Sequence, residues 1–291
     1  MRRLVSISRF TLATAILLGI AIAMAAQEPV SSAAKAAPRD YYLGFDRNTF
    51  PGDDALPFLR RTFSFAGFWL NNPPGATLNT WAGKRPTVVQ NGFGFLLLFN
   101  GRLDRELRRA PDPANLGASD AQAAVASAQR EGFQPGVVIF LDQEEGARLL
   151  PRQLTYVLAW VDAVNAAGFR AGIYCSGMPA KEGAGQLITT ADDIREHVGA
   201  RPIVFFVYND ACPPAPGCAY PPDPLPPAAS GVPFASVWQF AQSPRRREFT
   251  KVCKPTYHSD GNCYAPNPNA HPLIDVDLDS ATSPDPSNGR Q

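Results

Sequence analysis

Eight short segments of this chain are apolar at nearly every position: YYLGFD (41–46), FAGFWL (65–70), GFLLLFN (94–100), VVIFLD (137–142), RAGIYC (170–175), IVFFVY (203–208), ASVWQFA (235–241) and LIDVDL (273–278). A strand with one wet face alternates apolar and polar residues. Runs without that alternation suit strands covered on both faces, as in a parallel sheet. Amphipathic stretches with legible ends lie between the runs. Ser119 is placed to cap a helix, with Gln122 three residues on and Gly132 at its left-handed end. Pro151 opens another, Gly168 closes it, and Leu154, Leu158, Val161 and Val164 share one face. Thr190 can cap ADDIREHV. Eight strands with intervening helices predict an α/β fold, an irregular (β/α)8 TIM-type barrel. The segment CPPAPGCAYPPDPLPP (212–227) is excluded from helix and central strand, because proline fixes φ and removes a donor. It reads as a surface excursion between the sixth and seventh strands.

The two ends follow other rules. Arg2, Arg3 and Arg9 lead into an apolar run, Phe10 to Met24, closed by small residues around Ala23 and Ala25. This is a secretory signal pattern, too short for a comfortable membrane span. The expected organisation is a signal peptide at 1–25, a flexible linker at 26–39, a barrel domain at 40–280 and a disordered tail at 281–291. Export to the periplasm or the outside follows, with no stable membrane span once the signal is cleaved. Loss of three arginines takes the formal charge from +1 to −2, which gives no electrostatic basis for a nucleic-acid partner. With 45% apolar and 18% charged residues in 291, the chain is globular and long enough for one barrel.

Export makes the cysteines legible. Cys212 and Cys218 bracket one short loop and Cys253 and Cys263 another, so all four are expected in disulfides in an oxidising compartment. Three connectivities are open to them. Cys175, directly after an apolar run, is expected as a buried small side chain. His197, His258 and His271 lack paired ligand spacing, so no metal is expected. The run Arg245-Arg246-Arg247 reads as a solvated loop.

The chemistry gathers at strand ends, where parallel barrels keep their sites. Asp46 ends the first run, Asp142 ends the fourth with Glu144 two residues on, and Asp275 and Asp277 lie in the last. In an extended chain Asp142 and Glu144 point to one side, while Gln143 and Glu145 point away. Carboxylates that share a site raise one another's pKa, which keeps one protonated as a general acid near neutral pH. Glycosidic hydrolysis needs such an acid and a second group to stabilise the charge developing on the sugar. Trp69, Tyr174 and Trp238, at or near strand ends, offer rings that can stack on sugar faces.

Six motifs in order carry a resemblance: GFDRNTFPGD (44–53), FWLNNPPG (68–75), FLDQEEG (140–146), AGIYCSG (171–177), VWQFA (237–241) and IDVDLD (274–279). From Tyr41 to Asp279 the chain resembles the secreted glycoside-hydrolase-like domain family of the Rv2525c-like type. More distantly it is similar to glycoside hydrolase family 25 lysozymes, the muramidases that cut peptidoglycan. The resemblance implies a barrel that works on a polysaccharide, peptidoglycan or another amino-sugar glycan, without metal or cofactor. It implies Glu144 as general acid/base and Asp142 as the group that orients the substrate acetamido group or stabilises a cyclised intermediate. Asp46 and Asp277 would position the site, and Gln239 falls on the Trp-Gln pair that precedes the last aspartate. DRNTFPGD departs from the usual opening of the lysozymes, so a catalytically silent glycan-binding envelope protein on the same barrel is the alternative.

Overall fold

A computed structural model describes residues 40–221, 223–246, 251–266 and 273–291. The expected signal peptide and linker, Arg247 and His271 lie outside the described residues. One compact unit runs from Arg39 to Gln291.

Among the described residues ten strands form, in chain order: β1 (Tyr42–Asp46), β2 (Phe65–Trp69), β3 (Gly94–Asn100), β4 (Val138–Asp142), β5 (Arg170–Ser176), β6 (Ala180–Glu182), β7 (Gln186–Ile188), β8 (Val204–Tyr208), β9 (Val237–Ala241) and β10 (Asp277–Ala281). Eight close a barrel in the order β1-β10-β9-β8-β5-β4-β3-β2, and β6 and β7 make a separate hairpin. The α/β barrel expected from the apolar runs is thus present, with one departure in direction. β10 runs antiparallel to both neighbours, β1 and β9. The chain after β9 stays at the end of the barrel where the parallel strands finish and re-enters from there. The first residue of β10, Asp277, therefore pairs with the last residue of β1, Asp46.

The helices are α1 (Leu56–Leu59), α2 (Arg85–Gln90), α3 (Asp104–Leu107), α4 (Pro113–Arg130), α5 (Pro151–Ala166) and α6 (Thr190–His197). α5 follows its sequence pattern, with Gly168 beyond its end at φ 81°. α4 begins earlier than Ser119. Asp112 caps it, its carboxylate accepting from the amides of Ala114 and Asn115, and Pro113 supplies a first-turn residue that needs no donor. Thr189 rather than Thr190 caps α6, accepting from the Asp192 amide.

Inside the barrel, strand residues of alternating size fill the space below the mouth. The rings of Phe140 and Phe206 have centroids 5.9 Å apart, and Tyr174 packs tilted against Phe206 at 4.7 Å. Gly172 leaves the room that the Phe140 ring occupies. A side chain at Gly67 would collide with the Cβ of Asp46. Outside, Phe68, Phe95 and Phe133 form an edge-to-face cluster with ring centroids 5.0 to 5.7 Å apart.

Residues 281–291, expected as a disordered tail, are instead tied across the bottom of the barrel. Val138 donates its amide to the Ser287 carbonyl at 2.9 Å, Leu97 donates to Ser287 Oγ at 2.8 Å, and Ser287 is fully buried. The strand-edge amides of β3 and β4 need acceptors there, and the polar tail supplies them.

All four cysteines expected in disulfides form them, and of the three connectivities open to them the fold adopts a cross-loop one. Cys212 joins Cys253 and Cys218 joins Cys263, with Cα atoms 5.6 and 5.3 Å apart. They bind the loop after β8 to the loop after β9, both on the mouth side. Cys175 is free and buried, and burial pushes its thiol pKa up.

Candidate functional site

The C-terminal ends of the parallel strands surround a pocket of about 130 Å³ lined by Asp46, Asp142, Glu144 and Asp277, with Trp69, Tyr174 and Gln239 among its walls. Four of these positions share their barrel-inward face by register: Asp46 pairs with Asp277, and Asp142 with Tyr174. The period of two also decides what the pocket excludes. Gln239 faces inward, so Trp238 faces outward; it is fully buried and its Nε1 donates to the Asn209 carbonyl at 3.0 Å. Trp238 therefore cannot stack on a substrate in this pocket, which corrects the sequence expectation. Trp69 does line the pocket, and donates its Nε1 to the Arg47 carbonyl at 3.2 Å.

A hydrogen-bonded relay holds one side of the mouth. Gln239 Nε2 donates to Asp46 Oδ2 at 2.8 Å and to Asp277 Oδ2 at 3.3 Å. Its Oε1 accepts from the Tyr174 hydroxyl and from Gln242 Nε2, each at 2.7 Å. The second oxygen of Asp277 accepts from the Ser243 amide at 2.6 Å. Ser243 Oγ in turn donates to the Val276 carbonyl at 2.7 Å and accepts from the Cys263 amide at 2.9 Å, so a disulfide-bonded residue braces this side of the mouth.

The fourth strand's end behaves differently. Asp142 is buried and its Oδ1 has no hydrogen-bond partner. Glu144 stands at the edge of the pocket with one side exposed. The main chain there is fixed from both sides: the Gln143 amide donates to the Tyr174 carbonyl at 2.9 Å, and the Tyr208 hydroxyl donates to the Glu144 carbonyl, also at 2.9 Å. Glu145 points away from the pocket and accepts from the Asp104 amide at 2.7 Å and from Gln153 Nε2 at 2.5 Å.

Burial shifts all of these carboxyl groups in one direction. Burial raises Asp46 to about 6, against the opposing pull of its hydrogen bonds with Gln239 and Asp279. Burial first, then the charges of Glu144 and Asp46, hold Asp142 well above the usual carboxylate range. Glu144 is raised by burial, with Arg246 opposing and Glu145 reinforcing. Asp277 and Asp279 are both raised well above it, chiefly by burial and secondly by Asp46. Carboxyl groups raised in this way keep their protons to a higher pH than free ones do, which sets potential proton donors beside acceptors.

Three contributors escaped the sequence reading. Asp279 is wholly buried, neither of its oxygens meets a donor, and its carboxyl group lies within hydrogen-bonding reach of Asp46. The alternation in IDVDLD puts it on the same face as Asp277 and was the available signal. Gln242 lies beyond the strand, where no period applies. Arg246, from the run expected to be solvated, sits 4.2 Å over the Tyr208 ring and donates to Gln242 Oε1 at 2.5 Å. Asp275, by contrast, lies outside the pocket and pairs with Arg47 at 3.1 Å.

The nearest thing to a metal-ligand group among the described residues is Asp193, Glu196 and His197. Arg148 occupies it: its Nη1 lies 2.6 Å from Asp193 and 3.6 Å from Glu196, which makes it an ion-pair network.

Residues 71–201 match the family model of the Rv2525c-like, glycoside hydrolase-like domain. The resemblance carried by the motifs is thus shown over the central part of the chain. Among solved structures, an uncharacterized protein of B. stearothermophilus is 19% identical, with 82% of this chain and 95% of that one covered and a TM-score of 0.53, which shows a shared fold. The Mycobacterium tuberculosis Tat-secreted protein Rv2525c, in complex with L-tartrate, is 12% identical over 85% of this chain and 97% of its own, at a TM-score of 0.49. The autolysin LytC of Streptococcus pneumoniae, in complex with a synthetic peptidoglycan ligand, is 10% identical over 82% of this chain and 46% of its own, at 0.46. No curated protein matches the chain by sequence. No helix among the described residues is long and apolar enough to cross a membrane.

Proposed function

We propose that this chain is an exported glycoside hydrolase that cleaves peptidoglycan or a related amino-sugar glycan, with Glu144 as the general acid. The observation that carries this reading is the pairing at one mouth of a partly exposed Glu144, its pKa raised, with a buried Asp142 whose Oδ1 lacks a partner. Glu144 donates its proton to the glycosidic oxygen as that bond breaks, and positive charge develops at the anomeric carbon. A 2-acetamido N–H supplies the hydrogen bond that Asp142 Oδ1 lacks, and that bond favours the ionised carboxylate. The amide oxygen is then directed at the anomeric carbon, which forms a cyclised intermediate. Water opens it, adding hydroxyl to carbon and returning the proton to Glu144. The relay through Gln239 keeps Asp46 and Asp277 fixed on the opposite wall. The glycoside hydrolase-like family model supports the reaction class. The N-terminal signal pattern and the two disulfides support export.

The small pocket volume favours a second reading, a glycan-binding protein that keeps the groove without turnover. Purified wild type and Glu144→Gln are incubated with peptidoglycan, and soluble sugar fragments and bound protein are both measured. Fragments from wild type alone, with binding kept in the variant, support the hydrolase. Binding by both with fragments from neither supports the second reading.

A further inference from the structure

Beside the mouth opens a larger groove of about 760 Å³, and Pro74 and Glu144 border both depressions. The two depressions therefore adjoin. The groove carries Arg102, Arg105 and Arg130. Arg102 is committed to Asp120, its Nε and Nη2 donating at 2.7 and 2.8 Å. Arg105 and Arg130 have no carboxylate partner among the described residues; Arg130 Nη2 donates to Ser127 Oγ at 2.7 Å, and the rest of its guanidinium is open. The groove's own acids do not cancel them. Glu106 accepts from the Leu103 amide at 3.0 Å and lies 3.7 Å from Arg102, while Glu144 stands at the border with the mouth, where burial raises its pKa.

The amides of the groove complete the pattern. Asn72 Nδ2 donates to the Thr77 carbonyl at 3.1 Å and Asn100 Nδ2 donates to the Asn72 carbonyl at 3.0 Å. Both residues line the groove, and the Oδ1 of each accepts no hydrogen bond among the described residues. Open carbonyl acceptors match peptide N–H groups, and unpaired guanidinium groups match carboxylates. A neutral sugar chain alone would answer only the first. We propose that this groove binds an acidic peptide substituent carried by the glycan strand whose bond lies at the mouth. The proposal rests on the glycan-directed reading of the adjacent pocket.

The test is calorimetric binding to the protein carrying Glu144→Gln, so that ligands persist. The two probes are a disaccharide bearing its tetrapeptide and the same disaccharide after the peptide has been removed. The peptide-bearing probe is expected to bind about fivefold more tightly at low salt, from two partly exposed ion pairs. That preference shrinks as salt rises, and the ratio falls to about one when Arg105→Ala and Arg130→Ala are added. Equal affinities, a ratio that survives loss of both arginines, or no binding of the peptide-bearing probe would overturn the proposal. Cleavage by the wild type is read separately: preference without cleavage removes the hydrolase reading and leaves the groove's ligand standing.

Discussion

Both ends of this barrel use aspartates, and they use them in opposite ways. At the bottom, Asp285 accepts from the amides of Phe95 at 2.7 Å, Arg290 at 2.9 Å and Gly289 at 3.1 Å. Three donors meet one carboxylate, and the tail is stitched to β3. At the mouth, Asp142 and Asp279 keep oxygens without donors, and four aspartates and Glu144 are held above their ordinary pKa. A satisfied carboxylate is a fastener. An unsatisfied group of them stores protons and hydrogen-bonding capacity at a cost in stability, which a packed fold keeps only where something else uses it.

The sharpest way to break this comparison is Glu144→Gln. It is expected to lower turnover by about 10³-fold with the fold intact, the range of a general acid; unchanged turnover on glycan would remove the mouth from the chemistry. Next comes Asp285→Ala, which strands three backbone donors and is expected to cost about 3 kcal/mol in chemical denaturation. The pH profile of any activity should stay where it was.

Asp279→Asn sharpens the comparison from the other side. Carboxyls with raised folded-state pKa contribute stability that is full below their unfolded values and lost as the pH rises through their folded ones, which for Asp46 lies at about 6. An amide at 279 cannot ionise and can still donate to Asp46. The variant should therefore melt several degrees above wild type at neutral pH, with the gap closing towards pH 4. A gap that widens in acid would contradict the assignment of protons to the mouth. The smallest effect is expected of Arg246→Ala. The guanidinium lowers the Glu144 pKa, so its removal should move the alkaline limb of the activity profile upward.

Much of the barrel was legible because strands buried on both faces leave an unmistakable signature, as in FLLLF at 95–99. The mouth was legible to the extent that a period of two governs it: Asp142 and Glu144 share a side, and Glu145 leaves it. That same period, applied from Gln239, would have turned Trp238 outward. What could not be read depends on contacts between distant segments. The direction of β10 is invisible because alternation reads the same from either end. Ser287 and Asp285 sit in a stretch whose composition is that of a loop, and only the exposed amides of β3 and β4 order it. The cysteine pairing follows from two loops meeting over the mouth, 41 and 45 residues apart in sequence.

The central claim, that the mouth adds water across a glycosidic bond with Glu144 as proton donor, is tested most directly by mass spectrometry of peptidoglycan digested in heavy-oxygen water. Wild type should release fragments carrying one heavy oxygen at each new reducing end, and Glu144→Gln should release none. Fragments without water-derived oxygen, or the same labelled fragments from the variant, would contradict it.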